Sequence, residues 1–504
     1  MQQATELRSA PSDEGASASA SSVDLDTLGK RARLGVLALI GRTVVMQLVI
    51  GVAQIQLART LEPADFGIFA IVQFSLAFFA FFGEAGFGAA LIQQKEQPTQ
   101  RQLSSVFFAQ IALSLGVIAL VALAAEGVRL VWPSLPDSAN WLLRVISLSL
   151  LLTSLRVVPS ILLERELRFG KLSVLEILHT LTFYTTAVVL AVRGFQVWSL
   201  VSAVVAQGIV GVVAAFLMRP WRPSLVFDRE VLRPMLRFGI PFQAKNAISF
   251  VNSAITPLYA GASLGQAAVG FINFAQQTAY FPLKLVEIMG RVTFPLYSRV
   301  RDRRDLLAES LARSIQICAM GTFFFVALFL GIGPQVIGVI YSEKWLPSLP
   351  LLYVFASAIT IGFVAPLVGS ALDAMGKPGI IARLAMGWTA LNWIIVPFAA
   401  RFGMLGFTLG YVVHVVVGNA AVLWVIKRLV PELRLARRLW ASALAGVVTG
   451  LVGRYFVGAW AGTLLGFIGG VGLLLLVYAG IVFALDRRTA LDAFSIVPRK
   501  AQAA

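Results

Sequence analysis

Three ionisable residues lie close together in a stretch that is otherwise apolar enough to cross a membrane. Lys284, Glu287 and Arg291 follow one another at spacings of three and four, so a single helix would carry them on one face. Three further polar residues extend this stripe in the N-terminal direction: Asn273, Gln276 and Tyr280. Ionisable groups inside a membrane are costly and usually face a bundle interior or a water-filled cavity. The stretch therefore predicts a polar cavity with more cations than carboxylates on its wall.

Other predicted membrane helices carry the same kind of residue. Arg42 lies inside the first apolar segment, and Glu84 lies among small residues near the end of the second. In the seventh segment, Lys245 and Asn252 share one face. We predict that the substrate is bound by Arg42, Lys245, Asn252, Lys284 and Arg291. Glu84 and Glu287 are the candidates for counter-ions or for proton coupling.

Each of these predictions has a structural alternative. Lys245 and Arg291 could reach an aqueous surface by snorkelling. The polar stripe that includes Asn252 could pack helices together instead of lining a cavity. Glu84 could pair with Arg42 or titrate, and the sequence does not distinguish the two.

The composition places the chain in the membrane. It is 58% hydrophobic and 13% charged, whereas globular proteins average about 25% charged residues. The net charge of +17 is spread over short loops, which argues against nucleic acid as a partner. One cysteine, Cys318, and two separate histidines, His179 and His414, exclude a disulfide framework and make a metal site improbable. We expect no cofactor.

We count about fourteen apolar segments long enough to span a bilayer, each of roughly 20 residues. The fold predicted from them is an all-α integral membrane protein. Two six-helix lobes are expected at 34–218 and 236–427, joined by a cytoplasmic linker at 219–235. Two extra helices follow at 428–485. Polar tails are expected at 1–33, disordered and without a signal peptide, and at 486–504. Lys and Arg concentrate in alternate loops, which predicts that both termini are cytoplasmic.

The two lobes resemble each other. When the chain is aligned with itself so that Arg42 matches Lys245, three more pairs fall into register: Gly67 with Gly270, Gln73 with Gln276, and Glu84 with Glu287. A membrane cation and a membrane carboxylate thus recur at equivalent positions. Parallel repeats of this size build many transporters, with the substrate site between the repeats.

Four runs resemble bacterial lipid-linked oligosaccharide flippases of the Wzx type, within the multidrug/oligosaccharidyl-lipid/polysaccharide superfamily. They are LARTLEPADFGIFAIVQ at 57–73, GEAGFGAALIQQKEQPTQRQLSSVFF at 83–108, PSILLERELRFGKL at 159–172 and VTFPLYSRVRD at 292–302. The form resembled most is the one associated with exopolysaccharides such as colanic acid. The resemblance implies a two-lobed, V-shaped fold like that of the MATE transporters.

The resemblance also implies a function. A non-enzymatic flippase would move undecaprenyl-diphosphate-linked oligosaccharide across the bacterial cytoplasmic membrane for surface polysaccharide synthesis. A monomer embedded in membrane lipids, working beside a polysaccharide polymerase and export machinery, is expected. The alternatives are a peptidoglycan-precursor flippase, a drug antiporter and, from another class, a glycan polymerase or ligase. The short loops argue against the enzyme, and the excess of cations argues against the antiporter.

Overall fold

The computed structural model describes residues 45–83, 86–94 and 96–486. The predicted site residues Arg42 and Glu84 lie outside the described residues, and so does the side chain of Lys245. The chain divides into two units, residues 1–54 and 55–504. In the first unit, residues 45–54 are helical. Everything that follows concerns the second unit, whose described residues form helices and connecting turns without a strand.

Eight helices make up the N-terminal half of this unit, which we call the N-half. They are α1 at 55–60, α2 (Pro63–Gly83), α3 (Phe87–Gln93), α4 (Gln100–Ala124), α5 (Val128–Val131), α6 (Ala139–Arg165), α7 (Phe169–Val192) and α8 (Val197–Met218). Local sequence sets several of their ends. Thr99 and Gln102 form a reciprocal capping box at the start of α4, which satisfies amide groups that have no partner within the helix.

The next nine helices form the C-half. They are α9 (Arg229–Ser253), α10 (Gly261–Leu264), α11 (Gln266–Ala279), α12 (Leu283–Val300), α13 (Arg304–Gln335), α14 (Leu349–Gly362), α15 (Val364–Ala374), α16 (Pro378–Ala399) and α17 (Gly403–Leu429). Short π-helical turns at Ile255–Ala260 and Val336–Tyr341 extend α9 and α13. Two final helices, α18 (Ala436–Val452) and α19 (Leu464–Leu485), pack with α13.

Ten stretches of the described chain are long and apolar enough to cross a membrane. One of them, at 378–429, contains both α16 and α17, whereas α9, α11 and α12 are not among the ten. The chain is therefore a multi-pass, all-helical membrane protein, as predicted. The number of fourteen spans stays a prediction.

The helix predicted to carry the polar stripe from Asn273 to Arg291 is broken in the middle, so the prediction of one continuous stripe was wrong. α11 ends at Ala279 and α12 begins at Leu283, with Pro282 immediately before it. Proline lacks the N–H that would continue the first helix, yet it fits the start of a new one. Lys284, Glu287 and Arg291 remain together on α12, whereas Gln276 lies on α11.

The hydrophobic core is continuous at one end of the molecule and divided at the other. At the first end, side chains from both halves form one cluster that includes Ile71, Trp132, Ile272 and Trp345. At the second end the clusters are separate. One belongs to the C-half and includes Tyr297 and Leu367. The other belongs to the N-half and is joined by Leu232 and Met235 from the start of α9. We call these ends the shared end and the divided end.

The closest approach between the halves is a crossing of α2 and α11 at the shared end. A Cβ atom added to Gly67 would lie 1.7 Å from the carbonyl oxygen of Gln266, and one added to Gly270 would lie 1.9 Å from that of Pro63. The crossing is reciprocal, because Pro63 and Gly67 align with Gln266 and Gly270 in the repeat. Residues beside a two-fold axis contact their own equivalents, so the crossing supports a two-fold relation between α2 and α11.

Candidate functional site

Three stripes run along α12, at the divided end. The first is buried against α13 and α15 and includes Val286 and Tyr297. The other two are exposed and lie side by side. One carries the three ionisable residues Lys284, Glu287 and Arg291, and the other carries the apolar residues Leu285, Ile288 and Val292. The exposed face of α12 therefore has a charged side next to an apolar side.

The charged stripe is partly paired within itself. Arg291 donates a hydrogen bond to Glu287 over 2.6 Å, at the i,i+4 spacing that favours such pairs. Both side chains are mostly exposed, at 79% for Arg291 and 65% for Glu287. The Lys284 ammonium lies 5.7 Å from the ring centroid of Phe281. Two cations and one carboxylate leave this stripe with a net positive charge, which suits an anion.

The structure brings only part of the predicted site together. Lys284, Glu287 and Arg291 share α12. Asn252 is instead held between helices, because its side-chain oxygen accepts a hydrogen bond of 3.1 Å from Asn392 on α16. This contact favours the packing alternative for Asn252. Arg42, Glu84 and the Lys245 side chain lie outside the described residues, and their roles stay predictions.

Two tryptophans close the shared end in a matching way. Trp132, between α5 and α6, donates its indole N–H to the carbonyl oxygen of Pro257 over 2.9 Å. Trp345, before α14, donates its indole N–H to the carbonyl oxygen of Ala58 over 2.8 Å. Each tryptophan thus reaches from one half to the backbone of the other. The sequence analysis missed both, although each indole lies in a connection between two long helices.

Charged side chains reinforce this closure at its surface. Arg59 donates hydrogen bonds to the backbone oxygens of Val339 and Ile340 at the end of α13. Lys344 donates to the backbone oxygen of Arg59 over 3.0 Å and lies 3.5 Å from a carboxylate oxygen of Glu62. Most of these contacts use backbone carbonyls, so the closure includes only one contact between opposite charges, from Lys344 to Glu62.

At the divided end, the runs at 83–108 and 159–172, which carry the family resemblance, make contacts that fix the connections of the N-half. The connection after α8 packs on the start of α4. Arg101 forms an ion pair with Asp228 at 2.6 Å, and the Ser105 hydroxyl oxygen accepts a hydrogen bond from the Asp228 backbone N–H. Arg165 donates to the backbone oxygens of Leu91 and Gln94 at the end of α3. These residues fix the loops and the start of α9 on the N-half. Their role here is structural.

A further pair of basic side chains lies within the N-half, and the sequence did not suggest that they meet. Arg156 on α6 and His179 on α7 both lie over Gly211 of α8, where an added Cβ would contact either side chain within 3.7 Å. Glycine at this position leaves room for both. The three helices follow one another along the chain, but the sequence did not show which of their faces meet.

The described residues contain no group of three His, Cys, Asp or Glu side chains that could hold a metal ion. The described chain forms an all-helical membrane bundle with a shared end, a divided end and a cationic stripe at the divided end. These features define a polytopic membrane protein.

Comparison with known proteins places the chain within that class. Residues 56–350, more than half of the chain, match the family described as polysaccharide biosynthesis protein, and the chain belongs to this family. The chain is similar to teichuronic acid biosynthesis protein TuaB of Bacillus subtilis, with 26% identity over 60% of this chain and 62% of TuaB. It is also similar to lipopolysaccharide biosynthesis protein WzxC of Escherichia coli, with 24% identity over 72% of this chain and 75% of WzxC. The matched region therefore spans less than two thirds of TuaB.

Solved structures show the same fold. The lipid II flippase MurJ, in an inward closed conformation, matches with a TM-score of 0.71 and 13% identity, over 88% of this chain and 99% of MurJ. A multidrug resistance MATE transporter of the MOP superfamily, in an inward-facing conformation, matches with a TM-score of 0.59 and 18% identity, over 77% of this chain and 95% of the transporter. The family match confirms the predicted resemblance to polysaccharide biosynthesis proteins, and MurJ and the MATE transporter share the fold.

Proposed function

We propose that this protein moves undecaprenyl-diphosphate-linked oligosaccharide across the bacterial cytoplasmic membrane, without covalent chemistry, to supply surface polysaccharide synthesis. The observation that carries the proposal is the exposed face of α12. Lys284 and Arg291 offer charge-assisted donors to diphosphate oxygens, and Leu285, Ile288 and Val292 offer an apolar surface beside them. The proposed substrate has two matching parts: its anionic headgroup suits the cationic stripe, and its hydrocarbon tail suits the apolar stripe.

Charge-bearing residues in a membrane segment favour a wet cavity over contact with lipid. We therefore place the charged stripe of α12 on an aqueous cleft at the divided end. Arg42 and Lys245, which the repeat puts at equivalent positions, are proposed to extend the cationic surface of this cleft. Glu287 serves as the counter-ion that offsets the positive charge of Arg291 while no substrate occupies the cleft.

Transport is proposed to occur by alternating access, with the two halves rocking against each other. The shared end would open by releasing the indole bonds of Trp132 and Trp345, while the divided end closes around the headgroup. The hydrocarbon tail stays in the bilayer, so only the polar part needs a path.

The divided end is proposed to face the cytoplasm. Basic residues crowd the connections there, and such residues favour the cytoplasmic side. They include Arg165, Arg168, Arg219, Arg222, Arg299 and Arg301. The shared end would then face the periplasm, and both termini would be cytoplasmic.

The names of the relatives support this proposal at the level of their own substrates. TuaB and WzxC are named for the synthesis of teichuronic acid and lipopolysaccharide, and MurJ is named for flipping lipid II. A peptidoglycan precursor shares the diphosphate–polyprenyl chemistry and is the alternative within the class. A drug antiporter is disfavoured because a cationic stripe repels the cations that it would carry.

The test is glycan analysis of a deletion strain with complementation. We expect surface polysaccharide to disappear while intact lipid-linked repeat units accumulate in the inner leaflet. The wild-type gene should restore export, and Lys284→Gln combined with Arg291→Gln should not, at equal protein levels. Repeat units that reach the outer leaflet but stay unpolymerised would contradict the proposal and indicate a polymerase. Loss of peptidoglycan precursor flipping would indicate the alternative substrate.

A further inference from the structure

The connection between α17 and α18 carries a dense group of exposed cations. Residues 427–440 read KRLVPELRLARRLW. One cation of this run is already paired, because Arg438 donates to a carboxylate oxygen of Glu309 over 2.5 Å. The remaining four cations are exposed, and we call them the basic turn: Lys427, Arg428, Arg434 and Arg437.

The basic turn has little negative charge of its own to balance it. Within the described chain, none of its four side chains forms an ion pair with a carboxylate. Glu432 is the one acidic residue in the run 427–440, and it is exposed. Four cations and one carboxylate in so short a segment repel one another, so an anion from outside the chain would stabilise them.

The position of the basic turn limits what that anion can be. One membrane-spanning stretch ends at Leu429 and the next begins at Ala436, and each of the four cations lies within two residues of one of these ends. Two tryptophans flank the run, with Trp424 56% exposed and Trp440 49% exposed. Tryptophans are enriched where a membrane meets water. The basic turn therefore lies at the depth of the phospholipid headgroups.

Arg428 is held in a geometry that suits a phosphate group. Its guanidinium carbon lies 3.8 Å from the ring centroid of Trp424. Stacking on the indole uses the face of the guanidinium, whereas its N–H donors lie in the plane of the group and point outward. Within the described chain these donors have no acceptor. A planar fork of free donors matches the oxygens of a phosphate.

We propose that the basic turn binds the phosphate of an anionic phospholipid, with Arg428 donating to the phosphate oxygens. The acyl chains of this lipid lie beside the two exposed tryptophans. Clusters of Lys and Arg next to a membrane-spanning helix favour anionic lipids. A soluble phosphate or an acidic protein would satisfy the charge, but neither would use tryptophans at headgroup depth. The proposal does not depend on the transported substrate or on which side the divided end faces.

The first test is native mass spectrometry of the purified full-length protein in detergent, titrated with phosphatidylglycerol or with zwitterionic phosphatidylcholine. We expect phosphatidylglycerol to bind at least about tenfold more tightly. Excess glycerol phosphate and a poly-glutamate peptide should not displace it. Equal binding of the two lipids would overturn the proposal. Displacement by glycerol phosphate would assign the turn to a soluble phosphate, displacement by the peptide would assign it to an acidic protein, and either result would also overturn the proposal.

The second test separates a site from general attraction, because cations also concentrate in connections for reasons of topology. Changing all four residues of the basic turn to Gln should weaken phosphatidylglycerol binding at least about tenfold. The matched control removes four exposed cations from the connection between α12 and α13, where neither helix contains a tryptophan. It combines Arg299→Gln, Arg301→Gln, Arg303→Gln and Arg304→Gln, and it should bind within about twofold of wild type. Equal weakening of the two variants would overturn the proposal.

Arg428→Lys supplies a milder variant in case the fourfold change does not fold. It keeps the charge but loses the planar fork and its stacking on Trp424. We expect phosphatidylglycerol binding to weaken by about three- to tenfold, as for one lost hydrogen bond. Unchanged binding would overturn the role assigned to Arg428. Because lipid binding requires no transport, it can succeed or fail independently of the flippase assay.

Discussion

At the shared end, α2 and α11 cross through two glycines, and two tryptophans tie each half to the backbone of the other. At the divided end, the halves keep separate cores and α12 exposes a charged stripe. The closure therefore depends on close packing and mainly on hydrogen bonds to backbone oxygens, while the cationic stripe of α12 lies where the halves do not share a core. The proposed transport, in which the halves open and close around an anion, would use this difference between the ends.

The most damaging change at the shared end should be Gly67→Ala. The new Cβ would lie 1.7 Å from a backbone oxygen of α11, so the helices must move apart. We expect a loss at the upper end of the about 1–3 kcal/mol typical of overpacking. Thermal unfolding of purified protein measures it. Gly116→Ala on α4, where an added Cβ meets no atom, is the control. Equal melting temperatures for the two variants would show that the crossing is not tight.

Trp345→Phe tests the indole closure with a smaller change. Phenylalanine retains an aromatic ring against Phe274, which stacks on Trp345 at 4.2 Å, but it cannot donate to Ala58. We expect a cost of about 1 kcal/mol, seen as faster amide hydrogen exchange around residues 57–62. Trp424→Phe, at an exposed position on α17, should leave this exchange unchanged. Unchanged exchange in Trp345→Phe would mean that the bond does not hold the end closed.

Lys344→Gln should weaken the shared end less than Trp345→Phe does. Lys344 makes a hydrogen bond to the Arg59 backbone and a long contact to Glu62, and exposed ion pairs contribute about 0.2–1 kcal/mol. The same exchange measurement should show a shift below that of Trp345→Phe, and the shift should shrink further in high salt. An effect larger than that of Trp345→Phe would reverse the proposed order of contributions.

Glu287→Gln should have the smallest effect, at the divided end. An exposed i,i+4 pair contributes about 0.3–0.5 kcal/mol, so a counter-ion role predicts transport within about twofold of wild type. Initial rates of lipid-linked oligosaccharide translocation in vesicles measure this. Abolished transport, with normal protein levels, would instead support the proton-coupling hypothesis for this carboxylate.

The sequence predicted the parts of the fold that depend on local pattern. Apolar runs indicated an all-helical membrane protein, and the self-alignment paired Gly67 with Gly270, which the structure brings into contact. The break between α11 and α12 was also predictable from the sequence, because Pro282 immediately precedes α12. The continuous stripe was predicted from the spacing of the polar residues alone.

Contacts between distant segments were not predictable in the same way. The sequence placed Asn252 on a polar helix face, but it did not reveal the hydrogen-bond partner of this side chain, because Asn392 lies on a different helix. The tryptophan bonds depend on backbone carbonyls, which have no sequence signature.

The most direct measurement is translocation of lipid-linked oligosaccharide, extracted from the deletion strain, by purified protein in proteoliposomes. Wild type should expose the labelled sugar on the opposite leaflet far faster than empty vesicles. Lys284→Gln combined with Arg291→Gln should slow this by about tenfold or more, since each lost bond between a cation and phosphate is worth about 1.5–3 kcal/mol. Arg401→Gln, which removes a cation beside Phe398 and away from α12, should not slow it. Equal rates for all three proteins would contradict the central claim that the α12 cations bind the headgroup.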